Sequence, residues 1–191
     1  MSIPIPRRPS GYSLGAAIAP VQVDVFVDIE CPFSQKSWST VQALREHYAA
    51  DQVRITVHPV ILCDHRQSWD MTKAAVAIAS DDAQFWEFFS YLYQRRERFA
   101  EDAFDDQNRH DLYALITEFI NDFGLTNWDQ AKVTHVLNED DLVNRAKTPI
   151  RYAISQGVWS TPTFFINKAE ADQLSSSSTL SDWQDVIDPL L

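Results

Sequence analysis

Residues 21–34 read Val21-Gln22-Val23-Asp24-Val25-Phe26-Val27-Asp28-Ile29-Glu30-Cys31-Pro32-Phe33-Ser34. The first part of this stretch alternates and is rich in β-branched side chains, which is typical of a strand. Pro32 lacks a backbone N–H, so it suits the first turn of a helix. Apolar residues then recur at helical spacing as far as Ala50. The stretch therefore predicts a strand that ends at Cys31 and leads directly into a helix.

A second β-rich run, residues 53–62, follows this helix. Strand, helix and strand in this order form a βαβ unit, whose two strands are parallel. Mostly helical patterns follow, and Pro149 interrupts the segment 140–156 either as a kink or as the first residue of a new helix. A turn and a short apolar strand come next in residues 157–167, before a last amphipathic segment at 180–190. The order predicts an α/β fold.

The chain has 191 residues and 45% hydrophobic residues, enough for one well-buried core. Residues 1–17 lack periodicity and are predicted to form an extended N-terminal arm. Residues 18–191 are predicted to form a single domain. Within it, a helical subdomain is expected to be inserted at about residues 68–150.

The formal net charge of −11 argues against nucleic acid and anionic membrane surfaces as partners. No apolar run is long enough for a transmembrane helix or a secretory signal. The two cysteines, Cys31 and Cys63, do not make a disulfide framework. We therefore expect a cytoplasmic location in which both thiols are free.

Cys31 lies where a strand ends and a helix begins. Backbone N–H groups and the helix dipole favour the thiolate there, and the thiolate is the nucleophilic form. Ser34 lies within the first helical turn, where its hydroxyl or N–H could donate to the sulfur, while the neighbouring carboxylate of Glu30 opposes a second anion. We expect Cys31 to be exposed at the rim of the domain and nucleophilic. The alternative is a small, buried, inert side chain.

Two segments resemble one known family. Residues 28–34 resemble the Asp-x-x-Cys-Pro-Tyr/Phe-Cys active site of the DsbA-like branch of the thioredoxin superfamily. Residues 157–167, Gly-Val-Trp-Ser-Thr-Pro-Thr-Phe-Phe-Ile-Asn, resemble that branch's Gly-Val-x-Gly/Ser-Thr-Pro-Thr-Phe-Phe-Ile/Val-Asn-Gly. The order of the two motifs, with a helical block between them, is that of the family. The resemblance implies a thioredoxin-like fold with a helical insertion.

The resemblance also implies site residues. Cys31 would be the redox-active cysteine, with Pro32 and Phe33 in the active-site turn. Thr161 and Pro162 would be joined by a cis peptide bond and face that cysteine. The backbone of Thr161 could then pair with an extended peptide or with glutathione, as in strand addition.

Ser34 departs from the family pattern because it replaces the second cysteine. A lone thiolate can attack a disulfide, but it cannot release the mixed disulfide through an internal thiol. Val25 also stands where dithiol relatives often carry a buried acid. Both changes predict monothiol exchange, in which Cys31 forms a mixed disulfide with glutathione or a protein thiol and Ser34 assists at the site.

Three functional classes follow from these residues. The first is a thiol-disulfide oxidoreductase of the monothiol type. The second is a glutathione-dependent transferase or isomerase of the kappa type, which also has a helical insertion and a serine at the active-site turn. The third is a redox-inert module that binds peptides or thiols. No cofactor is expected in any of them, although glutathione is a candidate co-substrate.

Metal binding is not expected. The spacing of His58, Cys63 and His65 matches no standard zinc pattern, and the acidic run 101–106 is not a known calcium loop. The segment Cys-Pro-Phe-Ser also resembles the Cys-Gly-Phe-Ser of monothiol glutaredoxins, which hold iron–sulfur clusters, but the long helical block does not fit that family. Cys63 is expected at the same rim as Cys31, yet too far from it for a direct disulfide.

Overall fold

The structure is a computed structural model that describes residues 8–191. Its five-stranded sheet has the order β1-β3-β2-β4-β5. The strands are β1 (Tyr12–Leu14), β2 (Val21–Val27), β3 (Val53–Pro59), β4 (Thr163–Ile166) and β5 (Ala169–Glu170). Because β2 is the middle strand, the residues that follow it emerge at the centre of one edge of the sheet.

The central pairing explains why two distant motifs meet. Strand β2 is parallel to β3, to which helix α1 (Pro32–His47) connects it, and antiparallel to β4, with Phe26 opposite Thr163. The end of β2 and the start of β4 therefore lie side by side. The predicted βαβ unit and the α/β fold class are confirmed.

The long segment between β3 and β4 is helical. Its helices are α2 (Ser68–Ile78), α3 (Asp82–Tyr93), α4 (Arg109–Asp122), α5 (Gln130–Val136) and α6 (Asp140–Ser155), with short 3₁₀ turns at 96–98 and 101–104. Helix α6 is continuous through Pro149, so the helical insertion extends past residue 150 to Ser155. A last helix, α7 (Leu180–Ile187), packs on α1.

The N-terminal segment is more ordered than the predicted arm. Residues 12–14 form the edge strand β1, which pairs antiparallel with β3. Tyr12 is buried and stacks on Phe85 with ring centroids 3.5 Å apart. A three-residue strand is too short to show a periodic pattern, which is why the sequence did not reveal it. Residues 1–7 of the predicted arm lie outside the described residues.

Both faces of β2 are covered. Val23, Val25 and Val27 belong to the large core that α1 and the helical insertion share with the sheet. Phe26 points to the other face and forms a smaller cluster with Phe165 and α6 residues, since side chains alternate along a strand. Among residues 8–191, no helix is both long and apolar enough to cross a bilayer.

Candidate functional site

Cys31 lies at the junction between β2 and α1. It is the N-cap residue of α1, with extended backbone angles, and Pro32 is the first helical residue. The Cys31 N–H donates to Asp28 O at 3.2 Å, and Cys31 O accepts the Gln35 N–H at 3.0 Å. These two bonds hold the nucleophile candidate in a tight turn at the positive end of the α1 dipole.

The loop before β4 faces this turn. The Thr161–Pro162 peptide bond is cis. The Cys31 Sγ donates to Thr161 O at 3.4 Å, although the two residues are 130 positions apart. The Thr161 hydroxyl is buried and has no hydrogen-bond partner within the described residues. The structure thus brings together Cys31, Thr161 and Pro162, the arrangement that the resemblance implies.

The expectation that Cys31 would be exposed is wrong. The residue is only 3% exposed. The reason is tertiary: the loop that carries Thr161 lies over the sulfur and accepts its hydrogen. Two side chains close in sequence to this pair are exposed. Phe33, two residues after Cys31, is 60% exposed, and Trp159, two residues before Thr161, is 85% exposed. The thiol is therefore buried, while an apolar side chain is exposed on each of the two segments that meet at this contact.

Ser34 has a different role from the predicted one. Its side chain is buried, and its hydroxyl accepts the Asp28 N–H at 3.3 Å. No hydrogen bond joins it to the Cys31 sulfur among the bonds of residues 8–191. The hydroxyl points back beneath the turn because the first turn of α1 rests on the residues that precede Cys31. Ser34 therefore stabilises the loop rather than donating to the sulfur.

Asp28 is a buried site residue whose role the sequence analysis missed. Its Oδ1 accepts the Glu30 N–H at 2.9 Å and the Ser68 hydroxyl. Its Oδ2 accepts the Leu62 N–H at 2.7 Å and lies 3.0 Å from His65 Nδ1, at an angle too poor for a good hydrogen bond. This carboxylate joins the Cys31 turn to the loop that follows β3.

The Asp28–His65 contact shifts the pKa of the imidazole. The nearby Asp28 carboxylate raises the pKa of His65 to about 9, although partial burial opposes this. Beneath the turn, the buried Tyr93 hydroxyl donates to Asp28 O at 2.9 Å. An acid directly after an apolar strand was the one sequence signal for this arrangement. Its partners come from segments that only the fold brings close.

Glu30 is the second buried carboxylate of the turn. Its Oε2 accepts the backbone N–H groups of Gln67 and Ser68 at 3.0 and 3.1 Å, and thereby caps helix α2 from outside that helix. Arg96 Nε donates to the Glu30 carbonyl. Burial raises the pKa of Glu30 to about 7, while the bond from Gln67 opposes the shift. The residue next to Cys31 therefore titrates near neutrality.

Glu30→Gln is expected to make stability less dependent on pH. Because the pKa of Glu30 is higher in the folded state, the folded protein loses stability as pH rises from about 4.5 to about 7. Glutamine keeps the acceptor oxygen and does not ionise, so the variant should gain on the order of 3 kcal/mol across that window. Urea unfolding at pH 5 and pH 7 measures the difference. The matched control is Glu46→Gln, at an exposed position of α1.

The same experiment has a clear opposite outcome. If Glu30→Gln and the wild type lose equal stability between pH 5 and 7, Glu30 does not ionise in this window. His65 contributes at higher pH, because its stabilisation is complete below about 6.5 and is lost as pH rises through about 9. Measurements at or below pH 7 therefore largely separate the contribution of Glu30 to stability from that of His65.

The second cysteine lies near this site but does not pair with the first. Both Cys31 and Cys63 are free thiols, and Cys63 is exposed. Its neighbour Leu62 donates to Asp28, so Cys63 lies on a loop tied to the Cys31 turn. The loop that carries the exposed Cys63 is therefore joined through Asp28 to the turn that carries the buried Cys31.

The residues weighed as metal ligands have separate partners. His58 Nε2 lies 2.8 Å from Asp24 Oδ1 on the far face of the sheet, while His65 contacts Asp28. In the acidic run, Glu101 pairs with Arg66. Within the described residues, no group of three or more metal-ligating side chains is found.

Solved structures with the same fold come from several bacteria. The chain superposes on a putative protein-disulfide isomerase from Pseudomonas syringae with a TM-score of 0.76 and 21% identity, covering 93% of this chain and 97% of that one. It superposes on oxidised BdbD from Bacillus subtilis with a TM-score of 0.72 and 17% identity, covering 94% and 92%. It superposes on a thioredoxin-like oxidoreductase from Silicibacter pomeroyi DSS-3 with a TM-score of 0.68 and 20% identity, covering 95% of this chain and 92% of that one.

Curated relatives are much longer proteins. The chain is 26% identical over 149 residues to the Na(+)/H(+) antiporter NhaA 1 of Mycobacterium sp. (strain KMS), and 24% identical over 153 residues to that of Mycolicibacterium gilvum (strain PYR-GCK). These matches cover 78% and 80% of this chain but only 22% of each relative, so the chain spans about a fifth of their length. The family model described as thioredoxin matches residues 8–188. The chain therefore belongs to the thioredoxin family, and it has a helical insertion between β3 and β4.

Proposed function

We propose that this protein is a thiol-disulfide oxidoreductase that acts through one nucleophilic cysteine, Cys31. The observation that carries the proposal is the position of its sulfur, at the N-terminus of α1 and 3.4 Å from the carbonyl of Thr161. The helix dipole favours the thiolate, and the loop at Thr161 lies where a bound chain would pass the sulfur. The activities in the names of the P. syringae and S. pomeroyi proteins support the same class of reaction.

The reaction is an exchange between one thiol and one disulfide. The Cys31 thiol loses its proton to solvent, and its sulfur attacks a substrate disulfide. A bond forms between Cys31 and one substrate sulfur, the substrate S–S bond breaks, and the other substrate sulfur leaves as a thiolate. Because Ser34 provides no second sulfur, release requires attack by an outside thiol. Glutathione is the proposed co-substrate for that step.

The surface around Cys31 favours a polypeptide as the main partner. Phe33 and Trp159 are both largely exposed, and each lies two residues from one member of the Cys31–Thr161 contact. Exposed aromatic side chains beside a binding groove are typical of sites for protein partners. We therefore propose that protein thiols and disulfides bind here. Because both cysteines are free thiols, the proposal also includes a reducing, cytoplasmic environment.

A glutathione transferase of the kappa type is less well supported by this geometry. In such a mechanism the serine of the active-site turn would act on the glutathione sulfur. Here the Ser34 hydroxyl is buried and accepts the Asp28 N–H. Thiol exchange at Cys31 requires no such role from Ser34.

The test of the proposal is covalent capture. Reduced protein is incubated with oxidised glutathione, and separately with a peptide disulfide, and the adducts are located by mass spectrometry. We expect adducts on Cys31 in the wild type and in Cys63→Ser. Cys31→Ser should retain only the slow reaction of Cys63. If adducts form on Cys63 alone, or if Cys31 reacts no faster in the folded than in the unfolded chain, the redox-inert binding module is the better description.

A further inference from the structure

A cavity of about 600 Å³ lies away from the Cys31 site, since no residue of the Cys31 turn or of the Thr161 loop lines it. It lies between the segment 8–12, the end of α2, the start of α3 and one side of α6. A cavity of this size is large enough for a small ligand or a modified side chain. Its polar lining is rich in arginine and hydroxyl groups: Arg8, Ser10, Ser80, Arg145, Thr148 and Arg151.

The lining of this cavity has more positive than negative side chains, although the whole chain is acidic. Three arginines and two aspartates line it, whereas the chain carries a net charge of −11. Asp81 caps α3 by accepting the Gln84 N–H at 2.8 Å, and Asp141 lies 3.6 Å from Arg145. The guanidinium of Arg151 has no ion-pair partner within residues 8–191. The lining therefore has positive charge available for an anion.

Two of the cationic groups are partly engaged. Arg8 Nη1 pairs with Asp82 Oδ1 at 2.6 Å, and Arg145 Nη2 donates to Val76 O at 3.1 Å. Each guanidinium has five N–H donors, so both retain donors for another acceptor. Planar guanidinium groups bind phosphate oxygens with paired hydrogen bonds. A phosphate group is thus the anion that best suits this set of donors.

Two serines, Ser10 and Ser80, line this cavity, and Ser10 follows a pair of arginines. The sequence reads Arg7-Arg8-Pro9-Ser10, a charge pattern of the kind that basic-directed serine/threonine kinases select. Ser10 is half-buried, whereas Arg8 and Pro9 are exposed and the strand β1 begins only at Tyr12. The serine is therefore in an irregular segment at the surface.

The backbone at Ser10 is held close to the sheet. Ser10 Oγ lies 3.4 Å from His58 Nδ1. Gly11 has a φ of +86°, and a Cβ at that position would lie 2.7 Å from His58 Cε1. The hydroxyl is thus positioned between the buried His58 ring and the arginine-lined cavity.

We propose that Ser10 is a phosphorylation site and that this cavity receives its phosphate. In the modifying step Ser10 Oγ attacks the γ-phosphorus of ATP. The new O–P bond forms as the bond to the β-phosphate oxygen breaks, ADP leaves, and the hydroxyl proton passes to the base of the kinase. The phosphate adds a charge of about −1.5 to −2 in the cavity that Arg145 and Arg151 also line. This would attach the N-terminal segment to α6.

The experiment starts with the purified full chain, a basic-directed serine/threonine kinase and ATP. Mass spectrometry should place the phosphate on Ser10, and Ser10→Ala should lose that label. The phosphate is then titrated by phosphorus NMR. In the wild type its second pKa should fall below the ordinary value of about 6, because the guanidiniums favour the dianion.

Three matched variants test the cavity itself. Arg151→Gln should return the second pKa of the phosphate towards about 6. Asn144→Asp adds a carboxylate to the cavity wall and should also raise this pKa above its value in the wild type. Arg54→Gln, on β3 and outside the lining, should leave it unchanged. The positions of Asn144 and Arg151 are not buried, so these variants are expected to fold.

Several results would overturn the proposal. Absence of label on Ser10, or equal phosphate titration in the wild type and Arg151→Gln, would do so. A further arm adds inorganic phosphate to the unmodified chain and follows the melting temperature. If phosphate alone stabilises the wild type but not Arg151→Gln, and Ser10 is not labelled, the cavity binds free phosphate and its assignment to Ser10 is wrong.

Discussion

Asp70→Ala is expected to lower the free energy of unfolding by about 3–5 kcal/mol, because it leaves a buried ammonium group without its counter-charge. Lys73 is only 1% exposed, and its Nζ lies 2.7 Å from Asp70 Oδ1. Its other acceptor is the carbonyl of Leu137 at the end of α5, 2.8 Å away. The pair therefore connects α2 to the end of α5 within the helical insertion.

Arg109 provides a matched comparison for Asp70→Ala. Its guanidinium also pairs with Asp70, with Nε 2.9 Å from Oδ2 and Nη2 3.0 Å from Oδ1. Since the Arg109 side chain is more than half exposed, Arg109→Gln should cost only about 1 kcal/mol. Guanidinium chloride unfolding monitored by tryptophan fluorescence measures both variants. Equal losses for the two variants would contradict the argument.

The double variant Asp70→Leu/Lys73→Met separates the charge effect from packing. Replacing both members of a buried ion pair by apolar side chains of similar size is often neutral or stabilising. We therefore expect its stability to lie close to that of the wild type, well above that of Asp70→Ala. A double variant as unstable as the single one would mean that packing, and not the unpaired charge, explains the loss.

Ser34→Cys is expected to turn the proposed monothiol site into a dithiol site. Position 34 lies in the first turn of α1, three residues after Cys31, which is the spacing of the dithiol motif in the DsbA-like branch. An internal thiol acts at an effective concentration far above that of millimolar glutathione, so release of a mixed disulfide should become about a hundredfold faster or more. The measurement is insulin reduction with dithiothreitol and no glutathione. This expectation rests on the proposed nucleophilic role of Cys31.

The controls for Ser34→Cys isolate the new sulfur. Ser34→Ala removes the hydroxyl that accepts the Asp28 N–H but adds no thiol, so it should show no gain in insulin reduction. The same comparison in a Cys63→Ser background excludes the other thiol. The wild type should show little turnover in this assay. Robust wild-type activity that disappears in Cys63→Ser would mean that Cys63 already resolves the mixed disulfide.

The order of elements in this chain could be predicted from local patterns. Alternation in residues 21–28, helical spacing after Pro32 and the β-rich run at 53–62 are properties of neighbouring residues, and they specify the βαβ unit directly. The two motifs around Cys31 and Pro162 were recognisable for the same reason, since each is a short contiguous segment. Local patterns were weaker at the ends of elements, as the three residues of β1 and the uninterrupted helix α6 show.

The surroundings of Cys31 were decided by tertiary structure. Its burial, the position of the Ser34 hydroxyl and the two carboxylates of Asp28 and Glu30 all depend on groups from distant segments. Thr161 reaches the sulfur only because β4 pairs with β2. A side chain's exposure and pKa depend on everything packed around it, whereas a helix or strand pattern depends mainly on the side chain's own neighbours in sequence. The sequence therefore selected Cys31 as the candidate nucleophile, and the fold decided the environment of its thiol.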